Sequence, residues 1–283
     1  MTKNELKAKY ARIASDPSQL EMFKDDVIDG TTTCLPELPE GAEEKTLTLT
    51  MVNGVPEWSE GGVGPTPEPV AKGDIIFFGG HRYRVLEAES QDAVKVMLMD
   101  DCIASKFNDN DTKVDFDVDG TTVQGQKYAD SALEAACLNF VESLPQDIQD
   151  AIIAEEVEQD MYEISDTATG DYVEFIRQDG SVYRLKKLAT VTVGSGLAHA
   201  ISISEIIAYL AENLRWDALN QMMFDYDNPI SISAWTMSAR SSYSSHACSV
   251  FGIDGYFNYD YFYILCVARP AFKINLQSVS YIK

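Results

Sequence analysis

The segment from residue 256 to residue 272 constrains the fold more than any other, because it gathers aromatic residues near the C-terminal end of the chain. Between Tyr256 and Tyr263 only Asn258 and Asp260 interrupt the rings. In a strand, alternate side chains point to opposite faces. One face of such a strand would carry Phe257, Tyr259, Tyr261 and Tyr263, and the other would carry Tyr256, Asn258, Asp260 and Phe262.

Neither face suits a hydrophobic core. The first is mostly phenols, each of which needs a hydrogen bond if buried, and the second mixes rings with an amide and a carboxylate, which are costly to bury without partners. Core strands remain the alternative, since Tyr and Phe have high strand propensity. Rigid rings among small polar residues are typical of binding surfaces. The predicted ligand-binding residues are Ser242, Tyr243, Ser244, Ser245, His246, Phe251, Asp254, Tyr256, Phe257, Asn258, Tyr259, Asp260, Tyr261, Phe262 and Tyr263.

The same region lacks five residue types. No Lys, Glu, Gln, Met or Trp occurs between Ala239 and Cys266, although all five occur elsewhere in the chain. These are the types that cannot be encoded when the third codon base is fixed as a pyrimidine. That pattern is expected where Asn codons have been randomised at their two adenines, so residues 239–266 are interpreted as a variable region.

Charge restricts the partners of the chain. Its 283 residues carry a formal net charge of −23, and nucleic-acid binding needs clustered Lys and Arg, so we expect no nucleic-acid partner. No apolar run reaches the length of a membrane span, and the N-terminal residues lack the apolar region of a secretory signal. We therefore expect no membrane insertion and folding in the cytoplasm.

The cysteines indicate free thiols. They are odd in number, scattered and without a C-x-x-C pair, as in a protein from a reducing compartment. They are Cys34, Cys102, Cys137, Cys248 and Cys266.

Prolines and glycines separate an N-terminal appendage from the rest of the chain. Residues 3–15 predict a short helix that ends before Pro17. The segment EKTLTLTMVNGVPEW alternates Leu and Thr before Asn53-Gly54, which predicts a hairpin. GGVGPTPEPVAKG then has the composition of a linker. We assign residues 1–72 to attachment or oligomerisation and residues 73–283 to a ligand-binding domain.

The pattern of the second domain is α+β. Three short strands are predicted in 74–100, and a hairpin is predicted to turn at Asp179-Gly180. Two helices are predicted, at 131–144 and 203–214, each opening with a capping box: Ser131-x-x-Glu134 and Ser202-x-x-Glu205. We expect small antiparallel sheets and a loop-rich C-terminal variable region.

A calcium loop is a weaker candidate. DFDVDGTTVQGQ places Asp115, Asp117 and Asp119 at the first, third and fifth positions of such a loop and glycine at the sixth. Its twelfth position is Gln126 rather than the bidentate Glu. The alternative, which we prefer, is a hairpin turning at Asp119-Gly120 with exposed aspartates.

Other sites have little support in the sequence. The three histidines are far apart, and Ser195 in GSGLAH lacks the strand and elbow of a hydrolase nucleophile. No cysteine lies at a metal-like spacing from a histidine. We expect no catalytic residues, no metal and no cofactor.

Several segments resemble one known family. Ala239-Arg240-Ser241-Ser242, the spacing of Ala247, Val250 and Gly255, and the closing VARPAF look like the variable region of diversity-generating retroelement targets. GDIIFFGGHRYRVLE, YADSAL, ISISEI and AWTMSAR look like segments of a phage and bacterial C-type-lectin-like domain, in its order. The resemblance covers about 73–283 and implies a C-type-lectin fold that displays a rewritten ligand-binding surface.

The resemblance also implies a function. EKTLTLTMVNGVPEW is similar to segments of phage tail-fibre and baseplate proteins. We therefore expect a non-enzymatic adhesin at the tip of a tail fibre in the virion. Its receptor would be a host-cell surface protein or glycan, and its partners would be other tail proteins. Trimers are a common assembly of such tips. The alternatives are a bacterial surface or interaction protein, or an enzyme such as the formylglycine-generating enzymes, which use the same fold but whose catalytic cysteine pair has no counterpart here.

Overall fold

The computed structural model describes residues 69–100, 103–211, 213–224, 233–241, 244–250 and 256–283, and the backbone at 47–52, 55–60 and 251. The chain divides into two units, residues 1–69 and residues 70–283. Val70 belongs to the second unit because it is buried and its backbone N–H and C=O both bond the Gln91 side chain. The predicted helix at 3–15 and most of the predicted linker lie outside the described residues.

The first unit contains the predicted hairpin. Strand β1 (Leu47–Val52) pairs antiparallel with β2 (Val55–Glu60), and Val52 lies opposite Val55. A two-residue connection at Asn53-Gly54 is the one that this register requires, so the hairpin prediction is confirmed.

The second unit contains two larger sheets and a separate hairpin. Their strands are β3 (Ile75–Phe78), β4 (His81–Glu87), β5 (Val94–Leu98), β6 (Ala104–Ser105), β7 (Lys113–Val118), β8 (Thr121–Gln126), β9 (Ile152–Ile153), β10 (Glu155–Ser165), β11 (Val173–Ile176), β12 (Val182–Gly196), β13 (His199–Ala200), β14 (Ser233–Arg240), β15 (His246–Phe251), β16 (Tyr256–Tyr261), β17 (Cys266–Val267) and β18 (Pro270–Ile274).

The large sheet has the order β11-β12-β10-β14-β15-β16, with β17 beside β14 and β6 beside β17. The smaller sheet has the order β13-β18-β5-β4-β3, with β9 beside β18. Strands β7 and β8 pair only with each other in a hairpin. The predicted strands in 74–100 and the predicted hairpin at Asp179-Gly180 are both present.

Four helices accompany the described strands: α1 (Ala132–Glu142), α2 (Gln146–Ala151), α3 (Ile203–Leu210) and α4 (Trp216–Met223). A short 3₁₀ helix, Leu276–Ser278, follows β18. Helix α1 begins at Ser131, whose side chain accepts from the Glu134 N–H, and α3 begins with a complete capping box between Ser202 and Glu205. Both predicted helix starts are confirmed. The helices begin at these serines because the side chains satisfy backbone N–H groups that a first turn leaves without partners.

Strand β14 lies inside the second unit, with every residue from Ala234 to Arg240 buried. Trp235 and Met237 point into one core cluster with α1 and the smaller sheet, whereas Ala234 packs in a second cluster with α3 and α4. The Trp235 indole N–H donates to the Ser105 carbonyl at 3.0 Å, which satisfies its one polar group. A strand that is buried on both faces has a nearly continuous apolar sequence. AWTMSA comes close to this pattern, with Thr236 and Ser238 as its polar residues.

The large sheet curls until its two ends approach each other. Phe257 of β16 contacts Phe175 of β11 with ring centroids 5.3 Å apart, and its backbone N–H donates to the Tyr183 hydroxyl at 2.8 Å. Phe175, Tyr183 and Phe257 are all buried at this contact. The second core cluster therefore extends to both edges of the large sheet.

Three parts of the predicted fold were wrong. The second unit has four described helices rather than two, because α2 follows α1 after Pro145 and because the segment predicted as one helix at 203–214 ends at Leu210, with a further helix beginning at Trp216. The sheets are large, and β14 runs parallel to β10. The variable region is mostly strand where it is described, because β14, β15 and β16 continue the large sheet. The architecture is mixed α and β.

None of the helices among the described residues combines the length and the apolar character needed to cross a bilayer.

Five residues in and around the variable region are buried and support its strands: Trp235, Val250, Val267, Pro270 and Phe272. We expect Trp235→Ala to lower the free energy of unfolding by about 3–5 kcal/mol, because it empties a fully buried site. Tyr263→Ala removes an exposed ring from the same half of the chain and should cost under about 0.5 kcal/mol. Chemical denaturation measures both values, and equal losses would contradict the assignment of Trp235 to the core.

Candidate ligand-binding surface

Three tyrosines of the predicted site share one exposed surface. Tyr259 and Tyr261 point to the same face of β16, and Tyr263 follows in the turn after it. Their exposed fractions are 36%, 45% and 53%. The β16 strand is placed by β15, where His246 lies directly opposite Tyr261. We call Tyr259, Tyr261, Tyr263 and His246 the ring surface.

The members of the ring surface pack on one another. The His246 and Tyr261 rings have centroids 4.1 Å apart, and the Tyr261 and Tyr263 rings stack at 5.3 Å and 16°. The Arg240 guanidinium, at the end of β14, lies over the Tyr259 ring. Such cation–π and ring–ring contacts hold side chains in fixed orientations. Without a ligand the rings therefore already pack on one another and on Arg240.

A hairpin outside the variable region supports this surface. Lys113 of β7 and Gln126 of β8 both donate to the Ser244 carbonyl, in the turn that leads into β15. Asp111 accepts from both of these side chains. Beneath them Phe116 packs on Met161 and Ala239. We call β7 and β8 the supporting hairpin.

Gly125 sets how closely the supporting hairpin approaches β14. A Cβ atom at Gly125 would lie 2.7 Å from the Ala239 Cβ, 3.0 Å from the Met161 Cε and 3.1 Å from the Phe116 ring. The first distance is closer than real Cβ atoms approach, and the other two are tighter than most real Cβ contacts. Glycine is therefore required here because a side chain would block the close packing of β8 on β14. Backbone conformation is not the reason, since Gly125 does not have a positive φ.

His246 is held neutral by its surroundings. Partial burial lowers its pKa below the ordinary value, and the positive charge of Arg240 lowers the pKa further, although Asp260 opposes the shift. At neutral pH the ring therefore packs on Tyr261 as an uncharged imidazole.

Phe257 does not belong to the surface, so its assignment as a ligand-binding residue was wrong. It is 3% exposed, because Phe175 and Tyr183 at the other end of the curled sheet cover it. Alternation alone placed it on the same face as Tyr259, but the sheet closes over the first residues of β16.

Other predicted residues are only partly exposed. Tyr256, Asn258, Asp260 and Phe262 are half-buried. Asp260 accepts from the Ser249 hydroxyl at 3.1 Å, so we expect Asp260→Ser to cost about 1 kcal/mol through loss of this bond. The Phe262 carbonyl accepts from the N–H groups of Phe107 and Asn108, which fixes the turn.

Ser244 and Ser245 are half-buried in the turn before β15, and Ser245 bonds the His246 ring. Ser242, Tyr243, Asp254 and the side chain of Phe251 lie outside the described residues.

Two residues that no sequence pattern selected extend the ring surface. Ile264 and Leu265 follow Tyr263 directly, and Leu265 is 66% exposed. Strand β16 ends at Tyr261, and the turn after it exposes both side chains. Arg240, Lys113 and Gln126 were also missed, because their roles depend on contacts between distant segments.

The calcium candidate folds as the hairpin that was the preferred alternative. Asp119 and Gly120 form the turn with positive φ, and Phe116 is buried between exposed aspartates. The Asp117 carboxylate accepts from the Gly120 N–H and the Asp115 carboxylate from the Gln124 amide, so they do not converge on one point. Within the described ranges, no three His, Cys, Asp or Glu side chains are grouped to hold a metal ion.

A buried charged cluster is the main polar feature that the sequence did not reveal. His199 lies between Glu205, at 2.9 Å, and Glu155, at 3.5 Å. Lys95 of β5 pairs with both glutamates, and Lys273 of β18 pairs with Glu155 at 3.1 Å. The one sequence feature that indicated this cluster is Lys95 inside the apolar run VKVML. A lysine in such a strand is buried, and a buried lysine requires acidic partners.

These contacts shift the pKa values of the cluster. Burial alone would raise the pKa of Glu205, but the charges and hydrogen bonds of His199 and Lys95 outweigh burial and hold it well below its ordinary value. Burial alone would lower the pKa of Lys95, but the two glutamates raise it. The charges of the cluster thus stabilise one another across β5, β10, β13, β18 and α3, and a cavity of about 270 Å³ opens beside them.

The described cysteines are free thiols, as predicted for Cys137, Cys248 and Cys266. All three are buried, and burial raises the pKa of Cys137 and of Cys266 to about 12. Cys34 and Cys102 lie outside the described residues.

No protein-family model matches the chain, and no curated protein or solved structure matches it significantly.

We expect Gly125→Ala to destabilise the protein by about 1–3 kcal/mol, because the added methyl group overpacks the contact between the supporting hairpin and β14. Gly196→Ala is the matched control, since its added Cβ would meet only ordinary contacts at 3.6 and 3.7 Å. Chemical denaturation measures both changes. Adding Ala239→Gly to the Gly125→Ala variant should restore part of the loss, and a loss independent of Ala239 would contradict the proposed contact.

We expect the stability contributed by Glu205 to depend on pH. Its pKa is lower in the folded protein than the value of about 4.3 in an unfolded chain, so its contribution is complete above that pH and disappears as the pH falls through the folded value. Glu205→Gln should therefore be less stable than the wild type at pH 7, and the difference should shrink below about pH 4.

Urea denaturation at several pH values measures this difference, with the exposed Glu142→Gln as control. A Glu205→Gln deficit that stayed constant down to pH 2 would show that the ionisation of Glu205 does not stabilise the fold.

Proposed function

We propose that this chain is a non-enzymatic binding protein whose variable C-terminal surface recognises a receptor on a host cell. The observation that carries the proposal is the ring surface itself. Tyr259, Tyr261 and Tyr263 are exposed within the segment whose residue composition indicates rewriting, and their strand β16 is joined through β15 to β14, which is buried from Ala234 to Arg240. Central aromatic side chains supply most of the energy of many binding sites.

The arrangement separates residues that could vary from residues that could not. Ala247, Cys248 and Val250 are buried within β15, whereas the neighbouring ring surface is exposed. A diversified segment needs both kinds of position, since random changes in a core usually destabilise it. This supports a C-type-lectin-like scaffold of the kind found in targets of diversity-generating retroelements.

We further propose that the protein acts at the tip of a phage tail fibre. The resemblance of the β1–β2 hairpin to tail-fibre and baseplate segments supports this assignment, and that hairpin would serve attachment to other tail proteins or assembly into a trimer. The receptor would be a host-cell surface protein or glycan. The protein would be assembled in the host cytoplasm and act in the virion.

The variant Tyr259→Ala/Tyr261→Ala tests the proposed function. We expect the fluorescently labelled full chain to adsorb to some members of a panel of bacterial strains and the double variant to lose this adsorption, because central aromatics typically contribute about 2 kcal/mol or more each. Flow cytometry measures adsorption. Thermal unfolding should show only a small change, because both side chains lie at the surface, with exposed fractions of 36% and 45%, and neither fills the core.

Tyr172→Ala is a matched control. Tyr172 is a half-buried ring outside the variable region, and the Arg184 guanidinium lies over it much as Arg240 lies over Tyr259. Adsorption that survives the double variant, or is lost equally with Tyr172→Ala, would contradict a receptor-binding role for the ring surface.

A further inference from the structure

The ring surface offers a ligand mainly the edges and hydroxyl groups of its rings. Tyr259 turns a face to the Arg240 guanidinium, and Tyr261 packs on both His246 and Tyr263. A glycan is held most often by the open face of an aromatic ring, over which the C–H groups of a sugar lie flat. Here these faces are largely used by neighbouring side chains of the protein itself.

An aliphatic corner, Ile264 and Leu265, continues the surface beyond Tyr263. Leu265 is the most exposed large hydrophobic residue among those described, and Ile264 is 37% exposed. The corner is firmly held on both sides. The Ile264 N–H donates to the Tyr261 carbonyl at 2.9 Å, and the next residue, Cys266, is buried where β17 begins.

A fixed apolar corner is suited to an apolar pocket. Exposed leucine makes no hydrogen bond with a sugar hydroxyl, but burying its side chain in a protein pocket removes apolar area from water at roughly 25 cal/mol per Å². Since the backbone around it is already ordered, little conformational entropy is lost on binding. Tyrosine hydroxyls next to it can bond the polar rim that usually surrounds such a pocket.

The charge of the protein also disfavours an anionic polysaccharide. The chain has a formal net charge of −23. Two described cations act on His246 of the ring surface, and both are already engaged: Lys113 with Asp111, and Arg240 with the Tyr259 ring. An acidic envelope polysaccharide would therefore be repelled by the protein as a whole without a local basic site to offset the repulsion.

We infer that the partner of the ring surface is a protein with an apolar pocket that receives Leu265, rather than a glycan. This inference rests on the proposed receptor-binding function and assigns the partner class of the same site. Leu265 would be the central anchor, with Ile264 and Tyr263 beside it.

The test uses a bacterial strain to which the labelled full chain adsorbs. Cells are treated with proteinase K in one arm and with sodium periodate, which oxidises sugar diols, in the other. Adsorption of Leu265→Ser and of Leu197→Ser is then titrated on untreated cells. Leu197 is a matched control because it is an exposed leucine, at 42%, outside the variable region.

We expect proteinase K to abolish adsorption and periodate to leave it intact. Leu265→Ser should weaken adsorption about ten-fold or more, as loss of a buried anchor does, and Leu197→Ser should adsorb like the wild type. Both leucine variants should unfold at the wild-type temperature, which separates loss of binding from loss of fold.

Adsorption that resists proteinase K and is lost with periodate would make the receptor a glycan and overturn the inference while leaving the proposed function intact. Unchanged adsorption of Leu265→Ser would also overturn it. If no strain in the panel adsorbs the full chain, the proposed function fails and the inference fails with it.

Discussion

The burial of β14 on both faces is the constraint on which the rest of the second unit depends. Trp235 and Met237 complete one core cluster, and Ala234 contributes to the other. Side chains from other elements bond this strand as well: the Gln159 amide donates to the Met237 carbonyl at 2.9 Å, and the Ile203 N–H donates to the Ser238 hydroxyl. The strand therefore joins the two clusters and also carries β15 and β16, the strands that present the ring surface.

Two further contacts fix the position of the ring surface relative to β14. The supporting hairpin holds the turn before β15 through Ser244, and its approach depends on the absence of a side chain at Gly125. At the other end, the Tyr183 hydroxyl accepts from Phe257, so the curled sheet is closed over the start of β16. Rigid support of this kind lowers the entropic cost of binding. The exposed rings can then differ in identity without a change in the backbone that displays them.

Local patterns in the sequence predicted the elements, whereas the contacts between distant elements were not predictable. The helix starts at Ser131 and Ser202 and turns such as Asp179-Gly180 are determined within a few residues, so they were found, although only Ser202 forms the complete capping box and Glu134 accepts from the Asp130 N–H instead. Alternation in β16 correctly grouped Tyr259 with Tyr261, but it could not show that Phe257 is covered by a strand about eighty residues earlier. The charged cluster around His199 was missed for the same reason, since its members lie on five separate elements.

The central claim is that stability and recognition use different positions within one short segment. It is tested most directly by randomising each position from 239 to 266 and selecting the library for resistance to proteolysis alone, without any ligand. The account predicts that Ala247, Val250 and Phe257 retain only a few residue types, whereas Tyr259, Tyr261 and Leu265 accept nearly all, including charged ones. Equal tolerance in the two groups, or stronger restriction at the exposed rings, would contradict it.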